Sequence, residues 1–334
     1  MTEILRFPGL NLSFELNRVA FSIGSLKVYW YGIMIATGFL LALLYVFKRS
    51  KEFGVDVDKL IDVIFVSTFG AIIGARAYYV AFKWDYYGSH LNEIFSLRNG
   101  GIAIYGGIIG AVLVGLLMCK IKKLRVLPTL DLVVAGFFIG QSLGRWGNFF
   151  NIEAFGGNTS LPWGMTSDSI VSYLMQNEAE LSAIGMEIDP LMPVHPTFFY
   201  ESLWCFLGFL FIAWYTKRRR YDGELTILYA LIYGAERFVV EGLRTDSLMI
   251  GSFRVSQLLA GACVVVCIGL LIYFNSKYKK GLLSEVYGRT DEAREELRLA
   301  EEKNKKSKSK SDFKEQKALE LEDKAEETEN NDKP

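Results

Sequence analysis

The sequence predicts an all-α polytopic membrane protein with seven transmembrane helices, a small outward-facing cap and a polar cytoplasmic tail. Three observations carry this. The 334-residue chain is 51% hydrophobic and has a positive mean hydropathy. Its 37 basic and 37 acidic residues cancel in number but not in place: long runs nearly free of charge alternate with short basic clusters, and much of the remaining charge lies in the last fifty or so residues. The uncharged runs are also long enough, at about 20 residues, to cross a bilayer as helices, and they lack the alternation of barrel strands. A soluble chain of this length would suggest about two domains, which this charge distribution argues against.

In chain order, residues 1–25 carry Glu3, Arg6, Glu15 and Arg18 without the basic, apolar and small-residue segments of a cleavable signal, so the first span is expected to persist. Spans are predicted near 27–47, 60–82, 101–119, 129–149, 196–216, 224–242 and 253–274. Basic clusters follow the first, third, fifth and seventh: Lys48, Arg49 and Lys51; Lys120, Lys122, Lys123 and Arg125; Lys217 to Arg220; Lys277, Lys279 and Lys280. The longest loop on the other side, 151–194, has no lysine or arginine, so the positive-inside rule places the N-terminus outside and the C-terminus in the cytoplasm. That loop holds helix-like material from Ser169 to Met186 and is read as a small cap. The domain division expected is thus a membrane domain over 1–280, with 151–194 as its cap loop, and a charged tail over 281–334, disordered or partly helical.

Glycines recur every fourth residue at Gly70 and Gly74, Gly106 and Gly110, and Gly136, Gly140 and Gly144, a spacing that lets helix backbones approach closely. Asn99 to Gly107 places two glycine pairs around Tyr105 at the start of the third span, where helix N–H groups meet anions in other proteins, although packing is the simpler reading. Cys119, Cys205, Cys263 and Cys267 all fall in or at the end of apolar runs, without metal-ligand spacing, and read as packing residues. No metal or cofactor is expected.

Polar chemistry concentrates in a few places. Gly144-Arg145-Trp146-Gly147-Asn148-Phe149-Phe150-Asn151-Ile152-Glu153-Ala154-Phe155-Gly156 ends an apolar run and sets charge where a helix leaves the hydrocarbon, a position that marks a substrate route or an interfacial helix end. His195, one of two histidines, sits between prolines at the start of the fifth span, and Glu201 lies deeper and needs a partner. In the sixth span Tyr233, Arg237, Glu241 and Arg244 share one helical face, with Glu236 adding a further charge. Arg237 and Glu241 suit an i, i+4 ion pair. With Arg145 and Arg76, however, the outer half of the bundle gathers guanidinium groups whose planar forks match phosphate oxygens.

Together these motifs resemble the prolipoprotein diacylglyceryl transferase family of bacterial membrane enzymes. Residues 144–156 match its Gly-Arg-x-Gly-Asn-Phe-x-Asn-x-Glu-x-x-Gly signature at every fixed position. His195-Pro196 matches its His-Pro element, Tyr233 to Arg244 its later helix pattern, and Trp30-Tyr31-Gly32 its first-span Tyr-Gly element. The similarity covers about residues 20–275 and leaves the tail outside.

The resemblance implies transfer of the diacylglyceryl group of phosphatidylglycerol to the lipobox cysteine thiol of a preprolipoprotein, in a bacterial plasma membrane. A thioether forms and glycerol 1-phosphate leaves. The implied partners are phosphatidylglycerol and the signal peptide, not nucleic acid. Arg145 would contact the lipid headgroup, with Asn148, Glu153, Gly156, Tyr31, Tyr233 and Arg244 around the same substrate, and Arg237, held by Glu241 and Tyr233, would be a second phosphate-facing group. The attacking species is a thiolate, so a base is needed. Many relatives have histidine where this chain has Tyr105, which leaves Tyr105, His195 and Glu241 as candidates. The competing class is a multi-span transporter for an anionic or lipid-like solute; polar groups gathered toward one face and the lack of an internal repeat count against it.

Overall fold

The structure is a computed structural model and describes residues 2–96, 100–183, 185–245, 249–250 and 253–306. It is mostly helical. Two hairpins open the chain: β1 (Thr2–Phe7) pairs with β2 (Leu12–Asn17), and β3 (Val19–Ile23) pairs with β4 (Leu26–Tyr29). The helices follow as α1 (Trp30–Arg49), α2 (Val57–Phe82), a single turn α3 (Trp84–Tyr87), α4 (Ile104–Ile121), α5 (Val126–Asn151), α6 (Asp168–Ala183), α7 (Thr197–Tyr215) and α8 (Glu224–Glu241). The short strands β5 (Met249–Ile250) and β6 (Phe253–Arg254) precede α9 (Val255–Lys279), and residues 291–306 are again helical.

Six of these helices, α1, α2, α4, α5, α7 and α9, are long and apolar enough to cross a membrane. The helix α8 matches α4 in length at 18 residues but carries Glu224, Glu236, Arg237 and Glu241, so it falls outside that set. The first span begins at Trp30, not near residue 27, because residues 26–29 are drawn into pairing with β3 across a turn in which Gly24 has φ +60°. The hairpins were not foreseen; Leu5 and Leu16 lie on one face and are buried, while their neighbours along each strand are not.

The chain divides into two compact units. One comprises Ser50–Val126 and the described part of Tyr287–Pro334. In it α2 lies against α4 through the paired glycines: a Cβ at Gly70 would stand 2.6 Å from Val114 Cγ2, and one at Gly74 would stand 2.9 Å from the Gly110 Cα. Gly70, Gly74, Gly106 and Gly110 are thus packing residues, as their spacing suggests. Arg76 is engaged within this unit. Its guanidinium donates to the carbonyls of Glu93 (2.7 Å), Ile94 (2.7 Å), Gly100 (3.1 Å) and Gly101 (2.7 Å) and lies over the Tyr87 ring, so its charge is spent on organising the loop before α4. Asn99, at the head of the glycine segment, lies outside the described residues. The beginning of the tail belongs to this unit. Tyr287 is buried beneath the Arg125 guanidinium at 4.2 Å, Arg125 meets Glu292 at 2.6 Å, Lys51 meets Glu301 at 2.6 Å, and Ala293, 1% exposed, closes on Gly54.

The other unit comprises Met1–Arg49 and Leu127–Val286. Here α5 touches α1 where Gly136 faces Ala42 and Val46 and where Gly38 faces Gly140; it touches α7 where the Phe138 ring covers Gly208. A Cβ on Gly144 would meet nothing within 4 Å, so this glycine, unlike Gly136, is not explained by helix packing. The start of α8 is fixed by α5: the buried Asp131 carboxylate accepts from the Gly223 N–H (2.8 Å), the Thr226 N–H (2.8 Å) and the Thr226 hydroxyl (2.7 Å), satisfying helix-end donors that have no partner within the helix. Beyond the end of α5, Leu5 and Leu16 of the first hairpin join Ile152, Phe155, Met165, Val194, Phe198 and the inner face of α6 in one apolar core. This core anchors the loop that carries the signature residues.

Candidate active site

Three sequence motifs meet in the second of these units, and backbone hydrogen bonds hold them there. The Gly156 N–H donates to the His195 carbonyl at 2.9 Å, the His195 N–H to Gly157 at 3.0 Å, and the Gly157 N–H to Leu243 at 2.8 Å. Gly156 therefore lies between the His-Pro element and the residues after α8, and it also pairs with Arg244. A side chain does not fit there: a Cβ on Gly156 would stand 2.8 Å from the His195 Cβ and 2.9 Å from the Leu243 carbonyl oxygen. The chain enters this ladder through Ile152 (φ +53°) and Ala154 (φ +55°), both in the left-handed region that a β-branched residue such as Ile152 rarely adopts. The turn is held by the Thr197 hydroxyl, which donates to the Ala154 carbonyl, and by Glu153 N–H donation to Asn148 at 3.1 Å. Such strained backbone persists where its surroundings dictate it, typically around functional groups.

The charged centre is organised by Glu201 of α7, whose side chain is fully buried. Arg145 from α5 meets it at 2.6 Å, Arg237 from α8 at 3.4 Å, and Arg244 at 3.7 Å. Arg237 also pairs with Glu241 one turn along α8, and the carbonyl of Glu241 accepts from Arg254. The Arg145, Arg237 and Arg244 side chains are only 20%, 20% and 14% exposed. Each guanidinium has five N–H donors in a rigid fork, so donors here far outnumber the four oxygens of Glu201 and Glu241. Such an arrangement suits an oxyanion.

Arg244 lies just beyond the helix that carries Tyr233, Arg237 and Glu241. The helix ends at Glu241, turn hydrogen bonds carry the chain through Gly242 and Leu243, and Arg244, bridged to Gly156, reaches Glu201 from there. The backbone ladder replaces helical periodicity as the device that aims it. Tyr233 stacks on Tyr229 with ring centroids 6.0 Å apart, and the Tyr229 hydroxyl accepts from Gln141 of α5 at 2.9 Å. Further polar contacts tie α5 to α7: Trp146 Nε1 donates to the Ser202 hydroxyl at 3.1 Å, and the Ser142 hydroxyl donates to the Ser202 carbonyl at 3.0 Å. These flank Arg145 and Glu201 and fix the two helices in register.

The remaining expected residues fall as follows. Tyr31 covers Gly147, where a Cβ would stand 2.5 Å from the ring, and Trp30 stacks on Phe150 at 5.0 Å; the start of α1 thus abuts the signature end of α5. Asn148 is half-buried; Glu153 is exposed and accepts from the Asn151 amide at 3.1 Å. His195 Nδ1 lies 3.2 Å from the Tyr200 hydroxyl, which also accepts from Trp163 at 2.7 Å, and burial holds the imidazole below its usual pKa. Tyr105 opens α4 in the first unit described and is 54% exposed. Among the described residues no group of three or more His, Cys, Asp or Glu is arranged to hold a metal ion.

Glu201 and Glu236 stand inside this site although neither was named among its residues. The signal was present for both: an acid a few residues into an apolar run is expensive unless something pays its desolvation. Both are fully buried.

Fold and site together define a helical membrane protein with a guanidinium cluster embedded in its bundle. The sequence profile of the family described as prolipoprotein diacylglyceryl transferase matches residues 18–273. Proteins named phosphatidylglycerol--prolipoprotein diacylglyceryl transferase are similar along most of their length: that of Finegoldia magna is 43% identical, over 80% of this chain and 98% of its own. That of Clostridium novyi is 42% identical over 79% and 98%, and that of Clostridioides difficile 37% over 81% and 100%. The chain belongs to the prolipoprotein diacylglyceryl transferase family.

Proposed function

We propose that this protein transfers the diacylglyceryl group of phosphatidylglycerol to the lipobox cysteine thiol of preprolipoproteins, the first step of lipoprotein maturation. Family membership supports the reaction, and the observation that carries its mechanism is the convergence of Arg145, Arg237 and Arg244 on the single buried carboxylate of Glu201. The reaction forms a carbon–sulfur bond and breaks the carbon–oxygen bond to phosphate. Glycerol 1-phosphate departs with the bond electrons, and the thiol proton passes to a base. Arg145 and Arg237 hold the phosphate and stabilise the charge that develops on it, a positioning and electrostatic role. Glu201 and Glu241 aim those guanidiniums, while Tyr233, Asn148, Glu153 and Tyr31 shape the headgroup site around them. Gly156 acts by letting the Arg244 segment lie against the signature. Tyr105, His195 and Glu241 stay the candidates for the base; the Glu241 pairing with Arg237 favours an aiming role for that acid.

In this reading α8 is the seventh span, its charged residues paid for by pairing inside the bundle. The N-terminus, the hairpins and the 151–194 cap face outward, residues 1–280 form the catalytic domain, and residues 281–334 lie in the cytoplasm. A lipid donor and a signal peptide both lie in the membrane, so neither has to cross it. The test is incubation of purified protein with a lipobox peptide, with and without phosphatidylglycerol. Lipid-dependent thioether formation is expected; binding or movement of an anionic solute with no lipidated peptide would select the transporter instead.

A further inference from the structure

The site contains an acid that the ion pairs do not use. Glu236 precedes Arg237 on α8, is 0% exposed, and among the described residues neither of its carboxylate oxygens has a hydrogen-bond partner. Buried carboxylates are ordinarily paired or hydrogen-bonded. The charged groups that face it are Glu201 from α7, Arg145 from α5, and Arg237 and Arg244 from its own helix and the segment beyond. Cys205 of α7 and Tyr229 and Tyr233 of α8 complete its titratable surroundings on those sides. From α9, Ala260, Cys263 and Val264 line the same stretch at Gly234, and the Cys263 thiol is directed to the Ala230 carbonyl at 3.7 Å.

The charges set up a competition. Arg145, Arg237 and Arg244 are matched by Glu201, Glu241 and an ionised Glu236, three guanidiniums against three carboxylates, while Arg254 donates to the Glu241 backbone carbonyl. A phosphodiester entering among the guanidiniums adds a fourth negative charge in a site with little water to screen it, and two anions that share such a site cannot both stay ionised cheaply. Glu201 and Glu241 make direct ion pairs at 2.6 and 2.5 Å. Glu236 has no such contact among the described residues, so it is the acid whose protonation disturbs the site least.

We propose that Glu236 takes up a proton when a phosphodiester headgroup binds, so that the arginines exchange a protein carboxylate for the lipid phosphate at constant charge. Glu236 acts through the arginines and is a positioning residue. The inference rests on the assignment of this cluster to phosphatidylglycerol, and the experiment separates the two. Short-chain phosphatidylglycerol is titrated calorimetrically into the full-length protein in neutral detergent, in Tris and in HEPES, at several values from about pH 7 to about pH 9. Wild type is expected to bind with a buffer-dependent enthalpy that corresponds to uptake of about one proton at the alkaline end, its affinity falling there about tenfold per pH unit as single-proton linkage requires. Glu236→Gln and Glu236→Met, both permanently neutral, should bind with no proton uptake, with flat affinity, and more tightly than wild type at the alkaline end. A purely structural role for Glu236 would leave the proton count of any folded variant unchanged. Binding by wild type without proton uptake, or uptake retained in a neutral variant, overturns the proposal. Failure of wild type to bind the lipid at all overturns the phosphate site itself.

Discussion

At the residue scale the site is a problem of charge kept out of water. Three arginines share Glu201, and the carboxylate has lost all contact with solvent. Removing one partner of such a network leaves the others buried without compensation, at a typical cost of about 3–5 kcal/mol. Glu201→Gln should therefore lower stability by roughly that amount and abolish transfer. Thermal unfolding of the purified variant in detergent measures the first and thioether formation the second; a variant as stable and as active as wild type would mean that the arginines are aimed by something else. Glu201 was legible in the sequence as an acid in need of a partner. What the sequence could not give was which of the arginines answers it, since they come from α5, α8 and the segment after α8. Arg76 looked equivalent to Arg145 by position, but its charge goes to four loop carbonyls.

At the scale of elements, two kinds of device do the positioning. Between helices it is glycine and small polar contacts, such as Gly136 against α1 and Ser142, Trp146 and Ser202 between α5 and α7. Between motifs it is the backbone ladder around Gly156. Gly156→Ala should force the strands of that ladder apart, with an overpacking cost of about 1–3 kcal/mol and a larger loss of activity as Arg244 is displaced. Transfer rate and melting temperature measured on one preparation test this, and a fully active alanine variant would remove the ladder from the account. Helix positions were readable from runs of apolar residues, because burial in lipid imposes a length and a composition. The ladder was not, because its bridges are specified by partners distant in sequence, as when Arg6 pairs with Thr166 and Gly156 with Arg244. The helix end was also not readable to the residue: α8 stops at Glu241, three residues before Arg244.

At the scale of the whole molecule, the sequence separates a membrane domain from a charged tail, whereas the first part of that tail packs with residues 50–126. Tyr287 and Ala293 are buried there, and Arg125 and Lys51 pair with Glu292 and Glu301. Composition alone concealed this, since two or three small buried contacts scarcely alter the polarity of fifty residues. Deleting residues 307–334 should leave transfer intact, while deleting residues 285–334 should lower the melting temperature; equal stability of the two truncations would return the whole tail to a dispensable role. The central claim is that guanidiniums from separate helices grip the lipid phosphate during transfer. It is tested most directly by the rate at which purified Arg145→Ala and Arg237→Ala variants, shown to be folded and membrane-inserted, move labelled diacylglyceryl from phosphatidylglycerol to a lipobox peptide. Loss of turnover in both is the predicted result, and near-normal turnover in both would contradict it.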